Sequence, residues 1–180
     1  GRLTGQRFLG DHDWYREGTS FLLGRQDSLN GFWKGTGPME QDPVVSTSFA
    51  LLFLAKGRRP VLLSRLQHGD EVSNNWNLHR RSVRNLTHHV EKNWKKALSW
   101  QTIRMQNASV ADLLNSPVLF LSGERELRLS PDEERMLKEY IEQGGFLFVE
   151  ACNGQGCRGE AFDRSFREFV TRQFPDTPLR

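Results

Sequence analysis

The clearest pattern of apolar and polar positions lies between residues 117 and 150. An apolar run at residues 118–121 follows a proline and predicts a buried strand. Ser130-Pro-Asp-Glu133 predicts a helix start, because the serine caps free amides, the proline suits the first turn and the glutamate completes a capping box. Apolar side chains recur at helical spacing until Gly144-Gly145 ends the helix, and residues 146–149 predict a second buried strand.

The same alternation extends through most of the chain. Further strands are predicted at residues 61–67 and 101–105, and further helices at residues 82–98, 109–115 and 163–174. A strand, a crossover helix and a second strand form a right-handed parallel unit. The sequence therefore predicts an α/β fold with a doubly wound, mostly parallel sheet that is flavodoxin-like in outline.

Ligands of such sheets bind in the loops that follow the strands. We therefore predict ligand or partner loops with the candidates Trp76, Ser122, Gly123, Glu124, Glu150, Cys152 and Asn153. An acid–base site would need two of the nearby carboxylates to converge. The simpler interpretation is that Asp163 caps its helix, Glu124 is solvated and Glu150 bonds backbone amides.

The first 57 residues have a different pattern. Apolar helical segments, one near residues 21–23 and one at residues 43–56, flank a loop rich in glycine and proline. We predict a helical fragment at residues 1–57 and an α/β domain at residues 58–180 with a truncated C-terminus. The chain starts without methionine, so we expect it to continue a longer protein.

The spacing of Gln26, Gly31 and Trp33 after the first helical segment resembles the QW repeat of the terpene cyclase and prenyltransferase α/α-toroid. The resemblance implies that the glutamine and tryptophan tie successive helix pairs together. Upstream toroid repeats of the same protein would then be partners, since one helix pair cannot bury its own apolar face. This segment lacks the acidic motif of a cyclase and the zinc ligand set of a prenyltransferase, which disfavours catalysis by this repeat alone.

From Val61 onward, the chain resembles a bacterial family called domain of unknown function 4159. The residues that carry the resemblance are Trp76-Asn77, Asn85-Leu86, Pro117 to Gly123, Leu137, Tyr140, Gly144-Gly145-Phe146, Phe162-Asp163, Phe166 and Phe174-Pro175. That family is similar to the class I glutamine amidotransferase-like fold. A toroid followed by this domain is typical of large bacterial proteins, and the resemblance implies an architecture without an established activity.

Cys152 is the sharpest candidate for chemistry. It follows a predicted strand, where amidotransferase-like enzymes place a nucleophilic cysteine on a turn that presents backbone amides to an oxyanion. The sequence departs from that pattern at Glu150, where the family turn has glycine and where a carboxylate opposes thiolate formation unless it is engaged elsewhere. No histidine follows Cys152 in the chain.

Cys152 and Cys157 could instead form a disulfide across a small glycine-rich loop. A disulfide would suit an exported or periplasmic protein, and free thiols a cytoplasmic one, so the compartment stays open. Two cysteines do not fill a tetrahedral metal shell, and the paired glycines lack the spacing of a phosphate loop. We therefore predict no cofactor and no metal.

The charge and hydropathy of the 180 residues exclude few functional classes. The net charge is +3 and the pI about 9.1, with most of the excess near a basic helix that also has tryptophans beside it. Such a charge run is usually the solvated face of a helix, so nucleic-acid binding is disfavoured. No apolar run is long enough to span a bilayer.

The favoured hypothesis is a non-enzymatic module that binds a ligand or a protein partner through the loops that follow its strands. The alternative is a cysteine-dependent amidotransferase or hydrolase that uses Cys152. A weaker alternative is an accessory domain of an upstream toroid enzyme.

Overall fold

The computed structural model describes residues 6, 8–55, 60–69, 75–154, 156–177 and 179, without the side chains of residues 153, 154 and 157. The chain divides into two compact units, Gly1–Pro60 and Val61–Arg180. The predicted boundary near Gly57 lies outside the described residues.

The described residues of the first unit form the helices α1 (Trp14–Arg25) and α2 (Pro43–Ala55). The side chain of Asp13 caps α1 by accepting a hydrogen bond from the backbone nitrogen of Arg16. The Trp33 indole nitrogen donates to the Leu22 carbonyl at 2.7 Å, and Gln26 Nε2 donates to the Gly31 carbonyl at 2.8 Å. These two bonds fix the loop that leaves α1.

The second unit contains the sheet and its helices. In chain order, its elements are β1 (Val61–Gln67), a 3-10 turn (Asn75–Asn77), α3 (Ser82–Trp94), β2 (Ser99–Arg104), a second 3-10 turn (Met105–Asn107), α4 (Val110–Leu113), β3 (Val118–Gly123), α5 (Pro131–Glu142), β4 (Phe146–Ala151), β5 (Asn153–Gly154), β6 (Cys157–Arg158) and α6 (Glu160–Gln173). The capping box predicted at the start of α5 is confirmed, because the side chains of Ser130 and Glu133 each accept the other's backbone N–H.

Four parallel strands form the sheet in the order β2-β1-β3-β4. This arrangement confirms the predicted α/β fold. One face carries Leu63 and Phe120, which form a core cluster with Val83 of α3. The other face carries Leu66, Ile103, Leu119 and Leu121, all without exposed surface. Because parallel strands end at one edge, the loops after β1, β3 and β4 share the carboxyl edge.

The prediction that residues 146–149 form a buried strand is wrong in one respect. The strand is present, but Phe146 and Phe148 are 62% and 43% exposed. The cause is position, since β4 is an edge strand of the sheet. α6 reaches the opposite face, where the Phe162 ring closely approaches Gly123. α3 packs toward β1 and β2 instead.

Replacing Phe162 by alanine should lower the free energy of unfolding by about 3–5 kcal/mol, because the ring has no exposed surface and its loss leaves a cavity. Phe146→Ala is the matched control, and we expect it to cost less than about 1 kcal/mol because that ring is largely in solvent. Urea unfolding followed by circular dichroism measures both. Equal losses for the two variants would contradict the assignment of the faces.

Candidate functional site at the carboxyl edge of the sheet

The turn Asn75–Asn77 is clamped to the end of β3. The Asn75 side-chain oxygen accepts hydrogen bonds from the backbone nitrogens of Glu124 and Arg125 at 2.9 and 3.0 Å. The hydroxyl of Ser122 donates to the Trp76 carbonyl at 3.2 Å. These bonds satisfy loop groups that would otherwise be buried without partners, so they hold Trp76 in a fixed, buried position.

A buried arginine ties the next part of the same loop to β1. The Arg65 guanidinium donates to Asn77 Oδ1 at 2.7 Å, to the His79 carbonyl at 2.9 Å and to Ser82 Oγ at 2.7 Å. Arg65 is 3% exposed, and burial lowers its pKa while the field of Glu150 acts in the opposite direction. The guanidinium also lies 5.8 Å from the centroid of the Phe120 ring.

The arginine-held loop places a histidine between Glu150 and Cys152. His79 Nδ1 lies 3.5 Å from Glu150 Oε1, and His79 Nε2 lies 3.5 Å from Cys152 Sγ. A sulfur, an imidazole and a carboxylate in this order are the arrangement in which a base approaches a nucleophile and is oriented by a third group. The carboxylate of Glu150 is therefore engaged by His79 rather than by backbone amides.

Cys152 is 2% exposed and is disulfide-bonded. Its backbone nitrogen donates to the Gly123 carbonyl at 2.8 Å, which fixes it at the edge of the sheet. The antiparallel hairpin β5–β6 follows, and Gly159 then packs so closely on Cys152 that a Cβ there would lie 2.7 Å from the Cys152 carbonyl oxygen. The Cys157 side chain lies outside the described residues, so the pairing of the two cysteines stays a prediction.

A sequence comparison with protein families finds one match, a domain of unknown function (DUF4159), over residues 62–180. The chain belongs to this family. Neither the search of curated proteins nor that of solved structures found a match. The DUF4159 domain therefore includes the whole sheet except the first residue of β1, together with the candidate site.

The DUF4159 domain brings most of the predicted loop residues to one edge. Trp76, Ser122, Gly123 and Cys152 are buried there, and Glu124 contributes its backbone nitrogen. The Asn153 side chain lies outside the described residues. Asp163 does not cap α6 as expected, because the helix starts three residues earlier, and its side chain accepts a hydrogen bond from Arg167 at 2.9 Å.

Sequence reasoning missed Arg65 and His79. An arginine in the middle of a mostly apolar strand is a signal of a buried cation that needs partners. His79 precedes Cys152 by 73 positions, but the loops after β1 and β4 belong to the same edge of a parallel sheet. No group of three or more metal-binding side chains occurs in the part of the chain that the structure describes.

None of the helices among the described residues is long and apolar enough to cross a bilayer.

A second histidine, His68, is buried on the other face at the end of β1. Its Nε2 donates to the Ser122 carbonyl at 2.9 Å, and its ring lies 6.1 Å from the Phe162 ring. Burial lowers the pKa of His68 below its ordinary value of 6.5, although the Ser122 carbonyl and the field of Glu133 act in the opposite direction. His68 is therefore neutral in the folded protein at neutral pH.

This burial predicts a pH dependence of stability. Above the ordinary pKa of 6.5, His68 is neutral in both states and the folded state is fully favoured. As the pH falls below that value, the unfolded chain binds a proton that the folded chain does not bind, so stability falls by up to about 1.4 kcal/mol per pH unit. Urea unfolding between pH 5 and 8 measures the free energy of unfolding at each pH. This free energy should fall less steeply with decreasing pH for His68→Gln than for the wild type.

The exposed His88 provides the control, since His88→Gln should keep the wild-type dependence of the free energy of unfolding on pH. Proton NMR titration of the histidine rings gives an independent check. A titration midpoint of His68 at or above the ordinary value of 6.5 would contradict its assignment as a buried neutral imidazole.

Proposed function

We propose that the DUF4159 domain is a non-enzymatic binding module whose ligand or protein partner contacts the carboxyl edge of the sheet. The observation that carries this proposal is the set of buried polar atoms at that edge without a hydrogen-bond partner among the described residues. They are Trp76 Nε1, Arg65 Nε and Glu150 Oε2. Buried polar groups in folded proteins are nearly always hydrogen-bonded, so orphaned ones need an explanation.

The chemistry of these atoms defines what the edge would recognise. Trp76 Nε1 and Arg65 Nε are donors, and Glu150 Oε2 is an acceptor. A small polar group with both acceptors and donors, such as a primary amide, complements this set. The Asn75 clamp supports the same proposal, because a fixed loop loses little entropy when it binds.

A second candidate is a cysteine-dependent amidotransferase or hydrolase of the kind suggested by the fold resemblance. The contact of His79 with Cys152 favours it, since an adjacent base is what a thiol nucleophile requires. The disulfide at Cys152 favours the binding module, because a sulfur in a disulfide cannot attack a carbonyl.

For the first unit, we propose that it is the terminal repeat of an α/α-toroid, with upstream repeats of the same protein as partners. The bonds of Gln26 and Trp33 support this, because Trp33 ties the loop to α1 and Gln26 closes the turn directly after that helix. The exposure of Phe21, Phe49 and Leu52, at 58%, 65% and 61%, supports it as well. The DUF4159 domain would then act as a scaffold or as an accessory to a toroid enzyme.

Fragment screening by NMR tests the binding module. We expect small primary amides to bind the ¹⁵N-labelled chain and to shift the backbone N–H signals near Trp76, Ser122 and Cys152, and not those at the amino ends of the strands. Trp76→Phe keeps the ring but removes the indole donor, so it should weaken binding about five-fold, the value of one hydrogen bond. Trp94→Phe, on the exposed face of α3, is the matched control.

Fragment binding that clusters elsewhere, or equal affinities of the Trp76→Phe and Trp94→Phe variants, would contradict the proposal. Release of ammonia from glutamine by the reduced wild-type chain, but not by Cys152→Ser, would favour the enzyme instead.

A further inference from the structure

The disulfide-bonded sulfur of Cys152 has a histidine beside it. An imidazole nitrogen of His79 lies 3.5 Å from its sulfur. A protonated imidazole at that distance stabilises a thiolate by charge, and the more stable thiolate is the better leaving group in thiol–disulfide exchange. The contact would therefore favour cleavage of the disulfide, in addition to packing against it.

We propose that Cys152 and Cys157 form a redox-active disulfide that exchanges with dithiols, and that His79 stabilises the Cys152 sulfur as it leaves. The substrate class is a dithiol, either a small molecule or a reduced pair of cysteines in another protein. This proposal does not depend on the binding role of the edge, since it concerns covalent exchange at one bond.

The exchange has two balanced steps. A thiolate of the dithiol attacks the sulfur of Cys157, the bond between the two protein sulfurs breaks, and Cys152 leaves as a thiolate beside the imidazolium of His79. The second thiol of the dithiol loses its proton to solvent and attacks the mixed disulfide, which releases Cys157 as a thiolate that solvent protonates. The protein gains two electrons, and the dithiol is oxidised to a disulfide.

Glu150 and Arg65 fix the position of His79 beside the sulfur of Cys152. Glu150 contacts the other ring nitrogen at 3.5 Å, so the carboxylate faces the imidazole and does not face the sulfur alone. Arg65 holds the backbone carbonyl of His79 at 2.9 Å, which fixes the distance between the ring and Cys152. Arg65 is thus a positioning residue, whereas His79 contacts the reacting sulfur itself.

The test is the reduction of the full oxidised chain by dithiothreitol at pH 7, followed by alkylation and mass spectrometry of each cysteine. We expect an intrachain bond between Cys152 and Cys157. We expect His79→Gln to slow its reduction about ten-fold and to shift the exchange equilibrium by a similar factor toward the disulfide, because the thiolate loses its counter-charge. His88→Gln, on the exposed face of α3, should match the wild type.

The direction in which His79→Gln changes the rate of reduction distinguishes a role in exchange from a structural role. A variant that merely loosened the fold would expose the disulfide and accelerate its reduction. A His79→Gln chain that is reduced as fast as the wild type, or faster, would overturn the proposal. Free thiols at both cysteines in the chain after air oxidation would overturn it as well.

Discussion

The buried guanidinium of Arg65 is the interaction on which the carboxyl edge depends. A cation taken out of water is costly unless it has hydrogen-bond partners, and three acceptors bind the two terminal nitrogens of Arg65. Those acceptors belong to the loop after β1 and to the first turn of α3. One side chain of a central strand therefore sets the position of that loop, and with it the position of His79 relative to the end of β4.

The fold could be predicted well because its signals are local. The capping box at Ser130 and the apolar runs of β1 and β3 each determine structure within a few residues. The exposure of β4 could not be predicted, since the same apolar sequence pattern occurs in central strands and in edge strands. Whether Phe146 is covered depends on which helices pack over it, and that is a tertiary property.

Some features of the candidate site could likewise be predicted from the sequence, and others could not. The placement of Trp76, Ser122 and Cys152 at this edge could be predicted because parallel topology brings every strand end to one edge. The contact of His79 with Cys152 could not be predicted, because the two residues are 73 positions apart and the contact depends on the path of the loop after β1. The sequence indicated that Glu150 would oppose a thiolate unless it was engaged elsewhere, and in the structure its Oε1 lies 3.5 Å from His79 Nδ1.

The central claim is that Arg65 holds this edge, and native-state hydrogen exchange tests it most directly. In Arg65→Met, we predict that the amides of Ser82 and Glu124 lose protection by at least about a hundred-fold, since the substitution leaves three part-buried acceptors without their donor and each unsatisfied buried group costs about 1–3 kcal/mol. The amide of Gln143 at the end of α5 should change less, and the exposed Arg135→Met should change none of them. Wild-type protection of Ser82 and Glu124 in Arg65→Met would contradict the account.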